Sequence, residues 1–323
     1  MPPDLLNTHP VQTSHEADHP LSRPLKVLQQ LLAMPVVVYA STPGPFKPIE
    51  EADLDVMHAC LTGAIGSDRR VALVLQTAGG YVNAARHLAV RLRETVRTLH
   101  IVVPHKAISA GTLLCLAAEE LVLGVRAELS PLDPNVSAAQ PQPGMPASIS
   151  SADIHAYLDM AEQWFGLDRK RDGLELFKLL NQKFFPTSLS SFFRSEQQML
   201  SYCQHFLQYS RPTATPEERA DIASRLVQGY SSHDYVITRA EASELGLPVR
   251  IPSPDEEQAA TAVLRACRTL RFDGEPPRLY NAVIASDVFL ATHEQRDSFE
   301  GHPAFDATPD HELDPPMAWR VRT

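Results

Sequence analysis

Two strand-to-helix turns in the first half of the chain carry residues that suit nucleophilic chemistry. Gly79-Gly80 ends the run LVLQTAGG, and Ser109 lies thirty residues after Gly79 in the run PHKAISAGTLL. Glycine lets the backbone approach a ligand closely, and the free N–H groups at a helix start stabilise an anion or a developing oxyanion. The small neighbours of Ser109 leave its hydroxyl open to a substrate. A serine at this place is typical of a helix N-cap or of a nucleophile, and the two roles are compatible.

The glycine turn does not have the spacing of a nucleotide-phosphate loop. The chain contains neither G-x-x-x-x-G-K-[ST] nor G-x-G-x-x-G at this place. A Gly-Gly pair alone is as typical of a structural tight turn as of an anion site. The serine turn is therefore needed to give the glycines a chemical interpretation.

A serine nucleophile needs a base, because its hydroxyl is weakly nucleophilic at neutral pH. His233-Asp234 is the only His-Asp dipeptide in the chain, and it lies far from Ser109 in sequence, as members of a catalytic triad often do. The pair also fits an ordinary surface loop. Asp133, in LDPN, is either a turn residue or a site carboxylate, and the proline that follows it favours the turn.

Composition and charge exclude several classes of protein. The chain has 323 residues, of which 44% are hydrophobic, and its net charge is −10. That charge argues against nucleic acid or an anionic membrane as the main partner. The four cysteines are widely spaced, which predicts no metal site and fits a reducing compartment. The sequence predicts neither a metal nor an organic cofactor.

The sequence also predicts a cytoplasmic location. The first twenty residues lack a basic segment followed by an apolar one, so no signal peptide is expected. The longest apolar segment, 107–125, contains Glu119 and Glu120, which make a membrane span unfavourable.

The elements that position the candidate residues follow a repeated strand-turn-helix pattern. Four apolar runs are predicted to be strands: MPVVVYAST, VALVLQT, HIVVP and ELVLG. A strand that is apolar throughout is typical of a parallel sheet covered on both faces. The pattern therefore predicts an α/β fold, and such folds place their sites at the carboxyl ends of the strands.

The second half of the chain reads mainly as helices. A proline-rich loop at 137–150 precedes helices predicted near 151–165, 172–184, 190–210 and 215–228. Beyond residue 252 we expect one more helix, a strand within RLYNAVIASDVFLATH, and a polar tail over the last twenty residues. The predicted organisation has four parts: a mobile arm at 1–24, a main domain at 25–252, a helical insertion within it at about 137–230, and a C-terminal extension at 253–323.

Taken together, the motifs resemble the Clp-protease/crotonase superfamily and, within it, the serine dehydrogenase proteinase family of Clp-class serine proteases. The matching runs are LVLQTAGG, IVVPHKAISAGTLLCLAAEELVLG, SPLDPN and HDYVITRAEASELGL. The T-P-G-G usual in the family is Thr77-Ala78-Gly79-Gly80 here. The resemblance implies a spiral of β-β-α units with a mostly parallel sheet and additional helices.

The resemblance also implies roles for individual residues. Ser109 is implied as the nucleophile, and the N–H groups of Gly80 and Ala110, with Gly79 nearby, are implied as the oxyanion hole. The triad aspartate of the Clp proteolytic subunit lies twelve residues before the glycine of its E-A-x-x-x-G-L element, and counting back from Gly246 gives Asp234.

The triad histidine of that subunit corresponds to a position near Leu132 and Asp133, where this chain has no histidine. The base must therefore come from elsewhere, or the activity has been lost. His233 is the first candidate. Lys106 is the second, because related signal-peptide peptidases use Ser-Lys dyads. Three more lysines could serve, although each is by default an ordinary surface residue: Lys170, Lys178 and Lys183.

Three functions remain open from the sequence. The first is a serine hydrolase, in particular a peptidase, acting on peptides or proteins. The second is a catalytically inactive relative that binds or assembles other proteins. The third is a crotonase-like acyl-coenzyme A enzyme, which ranks last because such sites usually recruit carboxylates rather than a serine. The resemblance further implies a homo-oligomer and allows a partner ATPase.

Overall fold

The protein is described here from a computed structural model. The structure describes residues 19–41, 47–137, 148–183, 186–270, 280–294 and 319–322. The predicted arm at 1–24 lies outside these ranges up to residue 18. Helix α1 begins at Ser22, inside the predicted arm, because Leu21 and Leu25 are completely buried against the sheet.

A large mixed sheet forms the centre of the molecule. Among the described residues it has 8 strands in the order β12-β11-β10-β1-β2-β3-β4-β9. The five strands β1, β2, β3, β4 and β9 run parallel, and β10, β11 and β12 continue the sheet with antiparallel pairing beyond β1. The strand bounds are β1 Val36–Ser41, β2 Arg70–Gln76, β3 Thr98–Val103, β4 Glu120–Leu123, β5 Glu128–Leu129, β6 Asn135–Ser137, β7 Ser148–Ser150, β8 Ile237–Thr238, β9 Val249–Arg250, β10 Tyr280–Ala285, β11 Leu290–Glu294 and β12 Trp319–Arg322.

A second layer of very short extended segments follows the main strands. The segments that follow β1, β2, β3 and β4 are joined by isolated β-type contacts: Ile49 with Gly80, Thr77 with Ala107, and Lys106 with Glu128. Strand β5 then pairs with β8 through Glu128 and Thr238. This repetition of long strand, short strand and helix is the predicted spiral of β-β-α units.

Helices cover both faces of the large sheet. Their bounds are α1 Ser22–Leu32, α2 Ala52–Ala64, α3 Val82–Thr95, α4 Ala110–Cys115, α5 Ser151–Phe165, α6 Gly173–Lys183, α7 Pro186–Ser210, α8 Pro216–Gln228, α9 Arg239–Glu244 and α10 Pro254–Arg268. Side chains of β1 alternate between two cores, because successive strand residues point to opposite faces. Val37 and Tyr39 pack with α2 and α3, whereas Val36 and Val38 pack with α1 and α10.

The α/β class, the mostly parallel sheet and the additional helices are confirmed. The helices predicted between 151 and 228 are present as α5, α6, α7 and α8. Four of the described helices, α5, α8, α9 and α10, begin at capping boxes, at Ser150, Thr215, Thr238 and Ser253. All four cysteines are buried and free of disulfides.

The C-terminal extension differs from the expected tail. Strand β10 pairs with β1 at the centre of the sheet, and β12 includes Trp319, within the last twenty residues. The apolar run from Ala282 to Ala285 is completely buried, so this part of the extension belongs to the core.

Within the described parts of the chain, no helix combines the length and the apolar character needed to cross a membrane. No group of three or more His, Cys, Asp or Glu side chains among the same residues is arranged to hold a metal ion.

Candidate active site

Ser109 lies on a strained turn between two β-type contacts and a helix. The chain leaves the bridge at Ala107 and enters α4 at Ala110, and Ser109 between them has φ 54° and ψ −123°. A residue with a Cβ atom adopts positive φ only when its surroundings hold it there. This strand-to-helix turn is the geometry that exposes a nucleophilic serine in other hydrolases.

Hydrogen bonds to a neighbouring segment hold the serine turn in place. The N–H of Ser109 donates to the Oγ of Ser130 over 2.7 Å. The N–H of Ser130 donates in turn to the Oγ1 of Thr112 over 3.0 Å, and the Thr112 hydroxyl donates to the carbonyl of Ala107. The turn is therefore closed on itself through Ser130, and the Ser109 side chain is left only partly buried.

The glycine pair lies directly against Ser109. A Cβ atom placed on Gly79 would lie 2.8 Å from the Cβ of Ser109 and 3.2 Å from its Oγ, and Gly79 has φ +99°. The N–H of Gly79 already donates to the Oγ1 of Thr77 over 3.0 Å. Gly79 therefore leaves space for the serine and does not offer its own N–H, which refines the predicted role.

Gly80 is clamped to Ile49 on the opposite side. The N–H of Ile49 donates to the carbonyl of Gly79, and the N–H of Tyr81 donates to the carbonyl of Ile49, both over 2.9 Å. A Cβ atom on Gly80 would lie 2.1 Å from the nitrogen of Ile49, so no other residue fits. This bridge uses the groups on either side of Gly80, and within the described ranges the N–H of Gly80 itself has no acceptor.

The second predicted oxyanion donor, Ala110, is the first residue of α4 and is buried. The first N–H groups of a helix have no partner within the helix. Among the described residues, neither Gly80 nor Ala110 donates its N–H to any of the loop and turn hydrogen bonds. Both donors are therefore available at the turn that holds Ser109.

His233 is paired with Asp133, not with its chain neighbour Asp234. The Nδ1 of His233 donates to the Oδ1 of Asp133 over 2.6 Å. Asp133 is 3% exposed, and its second oxygen, Oδ2, has no hydrogen-bond partner among the described residues. Asp234 is exposed, and its N–H donates to the Oγ of Ser232. His233 and Asp234 lie in a tight turn closed by the N–H of Tyr235, which donates to the carbonyl of Ser232 over 3.2 Å, and this turn directs the His233 ring to Asp133.

The pairing with Asp133 changes the acidity of His233. The hydrogen bond to the Asp133 carboxylate raises the pKa of His233 above its ordinary value of 6.5, although partial burial of the ring acts in the opposite direction. A histidine held in this way has a fixed ring orientation and a stabilised cationic form.

A short stretch of chain links this pair to the serine turn. Ser130, which accepts the N–H of Ser109, precedes Asp133 by three residues. Three residues of extended chain span at most about 11 Å, so Asp133 lies in the neighbourhood of the serine turn. Ser130 was missed in the sequence, although it stands within the quoted run SPLDPN.

The lysine candidates have other surroundings. The ammonium group of Lys106 forms an ion pair with Glu128 over 2.9 Å, and its side chain is 40% exposed. Lys170 is exposed, Lys178 is paired with Glu175 over 2.8 Å, and the side chain of Lys183 lies outside the described residues. The ammonium group of Lys106 is thus engaged with Glu128 at the position where a Ser-Lys dyad would need it free.

An apolar groove of about 220 Å³ adjoins this region between α5, α6 and α7. It begins at Ser151, whose N–H donates to the carbonyl of Pro134, the residue after Asp133. The Oγ of Ser151 is buried without a hydrogen-bond partner among the described residues. The apolar walls of the groove are formed by six side chains: Ile154, Phe177, Leu180, Leu189, Phe192 and Phe193.

The motif region matches a known protein family. Residues 46–154 match the family model described as ClpP-like SDH-type serine proteinase. This confirms the resemblance for that part of the chain. The matched segment, about a third of the chain, contains the glycine turn, Ser109 and Asp133, and it ends before His233. The family is one of serine proteases.

Two curated relatives come from Methanocaldococcus jannaschii, and both are uncharacterised proteins. MJ0137 is 28% identical over 194 residues, which cover 60% of this chain and 58% of the relative. MJ1495 is 26% identical over 187 residues, which cover 58% of this chain and 54% of the relative. The chain thus spans little more than half of the length of either relative.

Among solved structures, two forms of 1510-N, a membrane-bound stomatin-specific protease, are similar to this chain. One covers 68% of this chain and 80% of its own, with 15% identity and a TM-score of 0.40. The other, in complex with a substrate peptide, covers 71% of this chain and 81% of its own, with 16% identity and a TM-score of 0.39.

Proposed function

We propose that this protein is a serine peptidase in which Ser109 is the nucleophile. The observation that supports this most strongly is the strained backbone of Ser109, which holds a partly exposed hydroxyl beside the N–H groups of Gly80 and Ala110, neither of which has an acceptor in the part of the chain that the structure describes. A structural turn has no need of that strain. A turn that presents an attacking oxygen between two oxyanion donors does need it.

The proposed reaction begins with attack of the Ser109 Oγ on the carbonyl carbon of a peptide bond. The Nε2 of His233 takes the hydroxyl proton, and Asp133 stabilises the imidazolium ion through Nδ1. The N–H groups of Gly80 and Ala110 bind the oxyanion of the tetrahedral intermediate. His233 then gives the proton to the leaving amine, the C–N bond breaks, and an acyl-enzyme remains.

The second half-reaction repeats these steps with water. His233 takes a proton from the attacking water, the same donors bind the second oxyanion, and Ser109 leaves with the proton that His233 returns. In this scheme Asp133 takes the place that the sequence motif assigned to Asp234. Lys106 is not used as a base, because its ammonium group is paired with Glu128.

We further propose that the groove between α5, α6 and α7 receives an apolar side chain of the peptide substrate. The groove starts at Ser151, which is hydrogen-bonded to the residue after Asp133, so it lies beside the segment that carries Asp133. Its aromatic and aliphatic walls favour the burial of an apolar group, and the unpartnered Ser151 hydroxyl offers a hydrogen bond to the substrate.

Three further expectations stay predictions. A homo-oligomer is suggested by the ClpP-like family. A cytoplasmic location and a partner ATPase remain expectations from the sequence.

The test compares Ser109→Ala with a matched control, Ser201→Ala, which changes an exposed serine on α7. We expect Ser109→Ala to abolish labelling by a fluorophosphonate probe and hydrolysis of a peptide panel, with the fold unchanged by circular dichroism. Ser201→Ala should retain both.

The alternative is an inactive binding module, which the aspartate at the place of the Clp histidine favours. If wild-type protein is neither labelled nor active, and binds an unfolded polypeptide equally well with and without the Ser109 hydroxyl, the peptidase proposal is wrong and the binding module is supported.

A further inference from the structure

A buried ion pair lies behind the glycine turn. Lys47 and Asp53 form a salt bridge in which their side chains are 1% and 0% exposed. The Lys47 ammonium group also contacts the carbonyl of Pro48 over 2.9 Å and the carboxylate of Glu50 over 3.0 Å. All three ammonium protons of Lys47 therefore have an acceptor, which a completely buried cation requires.

The carboxylate of Asp53 is surrounded by donors from distant parts of the chain. Its Oδ2 accepts the hydroxyl of Tyr39 over 2.8 Å and the N–H of Glu50 over 3.0 Å. Its Oδ1 accepts the indole Nε1–H of Trp319 over 2.9 Å, besides the contact with Lys47. Burial, and next the Asp53 charge, raise the pKa of Tyr39 well above its ordinary value, so that Tyr39 stays protonated and keeps donating.

Trp319 comes from the C-terminal extension and covers this ion pair. The Lys47 ammonium group lies 5.4 Å from the centre of the indole ring, a cation–π distance. His293 of β11 packs edge-on against the same ring, with 5.4 Å between the ring centres. The C-terminal strands thus close the buried pair from one side.

The ion pair also fixes the segment that clamps the oxyanion turn. Ile49 lies between Lys47 and Asp53, and its N–H and carbonyl bind the groups on both sides of Gly80 over 2.9 Å. Any shift of the segment 47–53 therefore moves Gly80. Because the proposed oxyanion donor is the N–H of Gly80, its direction depends on contacts made far from Ser109.

We propose that Trp319 is a positioning residue of the active site, which acts by holding Asp53 and Lys47 so that Ile49 aims the N–H of Gly80 at the oxyanion. The expected effect of Trp319 on the rate of hydrolysis rests on the proposed peptidase function, whereas its expected effect on the position of the Gly80 turn does not. It gives the C-terminal extension a defined part in the site.

The test is Trp319→Phe, which keeps an aromatic ring at this position and removes the indole donor together with part of the ring. The matched control is Trp164→Phe, because Trp164 is the only other tryptophan and its side chain is 75% exposed. For peptide hydrolysis, we expect Trp319→Phe to lower kcat about tenfold with KM unchanged. The lost hydrogen bond to a charged group has about this strength, and its loss displaces an N–H group that stabilises the transition state. A KM rise at constant kcat would overturn the positioning role.

A second measurement does not depend on activity. Hydrogen exchange, followed by mass spectrometry, reports opening of the segments that contain the amides of Ile49 and Tyr81. We expect Trp319→Phe to accelerate exchange there about tenfold, with no change in Trp164→Phe. Equal exchange in both variants overturns the inference. If the wild-type protein proves inactive, the peptidase proposal fails, and the exchange result alone decides whether Trp319 holds the turn.

Discussion

Replacing Ser109 by glycine should stabilise the protein relative to its replacement by alanine. Ser109 has φ 54°, a conformation that glycine adopts readily and alanine does not. Strain of this kind is worth about 1–3 kcal/mol for a residue other than glycine. The greater freedom of glycine in the unfolded chain costs about 0.5–1 kcal/mol, and losing the partly buried methyl group costs up to about 0.8 kcal/mol. The balance favours Ser109→Gly by about 1 kcal/mol.

The assay is urea unfolding of Ser109→Ala and Ser109→Gly, followed by far-ultraviolet circular dichroism. Ala156→Gly against wild type is the control, since Ala156 is an exposed residue within α5. At that ordinary helical position the change from alanine to glycine should destabilise the protein by about 1 kcal/mol. The same chemical change should thus have opposite signs at the two positions. If Ser109→Gly is less stable than Ser109→Ala by as much as the control, the turn stores no strain and the reasoning is refuted.

Two further predictions concern the pair that activates the serine and the turn that binds the oxyanion. His233 must be neutral to accept a proton and Asp133 raises its pKa, so kcat/KM should rise with pH through a midpoint above 6.5. Asp133→Asn should lower both that midpoint and the rate, and a midpoint unchanged in this variant would contradict the role of the pair. Gly80→Ala should cost about 3 kcal/mol or more in urea unfolding, because its Cβ would lie 2.1 Å from Ile49. Gly166→Ala, which also has positive φ but no atom within 4 Å of the new methyl group, should cost only about 1–2 kcal/mol. Equal losses would show that the clamp on Gly80 does not matter.

The same histidine has a consequence for stability. Because the pKa of His233 is raised in the folded state, the protonated ring stabilises the fold at pH values below its unfolded pKa. This contribution is lost as the pH rises through the folded pKa. The contribution of His233 to stability and the activity should therefore change in opposite directions across this range, the former falling and the latter rising.

The sequence predicted those elements whose signal is local. Three consecutive valines in β1 and the uninterrupted apolar run of β2 reflect burial on both faces, and the structure has both strands buried. The helix predicted near 215–228 begins at a capping box formed by Thr215 and Glu218, which are three residues apart, so its start follows from the local sequence. The two-residue strands β5, β8 and β9 were missed, because such segments are too short to show a period.

The parts of the site that the sequence did not predict depend on contacts between distant residues. His233 and Asp133 are 100 residues apart, and nothing in the sequence around either residue indicates that the other is its partner. The dipeptide His233-Asp234 pointed to a different acid. Likewise nothing in the local sequence distinguishes Asp53 from the acidic residues that are common in the first turn of a helix. In the structure it is completely buried, with its partners on β1, β12 and the segment before α2.

The arrangement around Ser109 explains why one site draws on so much of the chain. A strained serine persists only if the surrounding contacts cost more to break than the strain releases. Here one side of the turn is closed by Ser130 and Thr112, and the other by Gly79, whose neighbour Gly80 is fixed to Ile49. The contact between Gly80 and Ile49 is in turn held by the buried ion pair of Lys47 and Asp53, which is stable only while every donor and acceptor is satisfied. The C-terminal strands supply one of those donors through Trp319. A sheet that ended at β1 would leave the Oδ1 of Asp53 without its indole donor. The strands added after β1 are therefore needed to hold the turn that carries the Gly80 N–H.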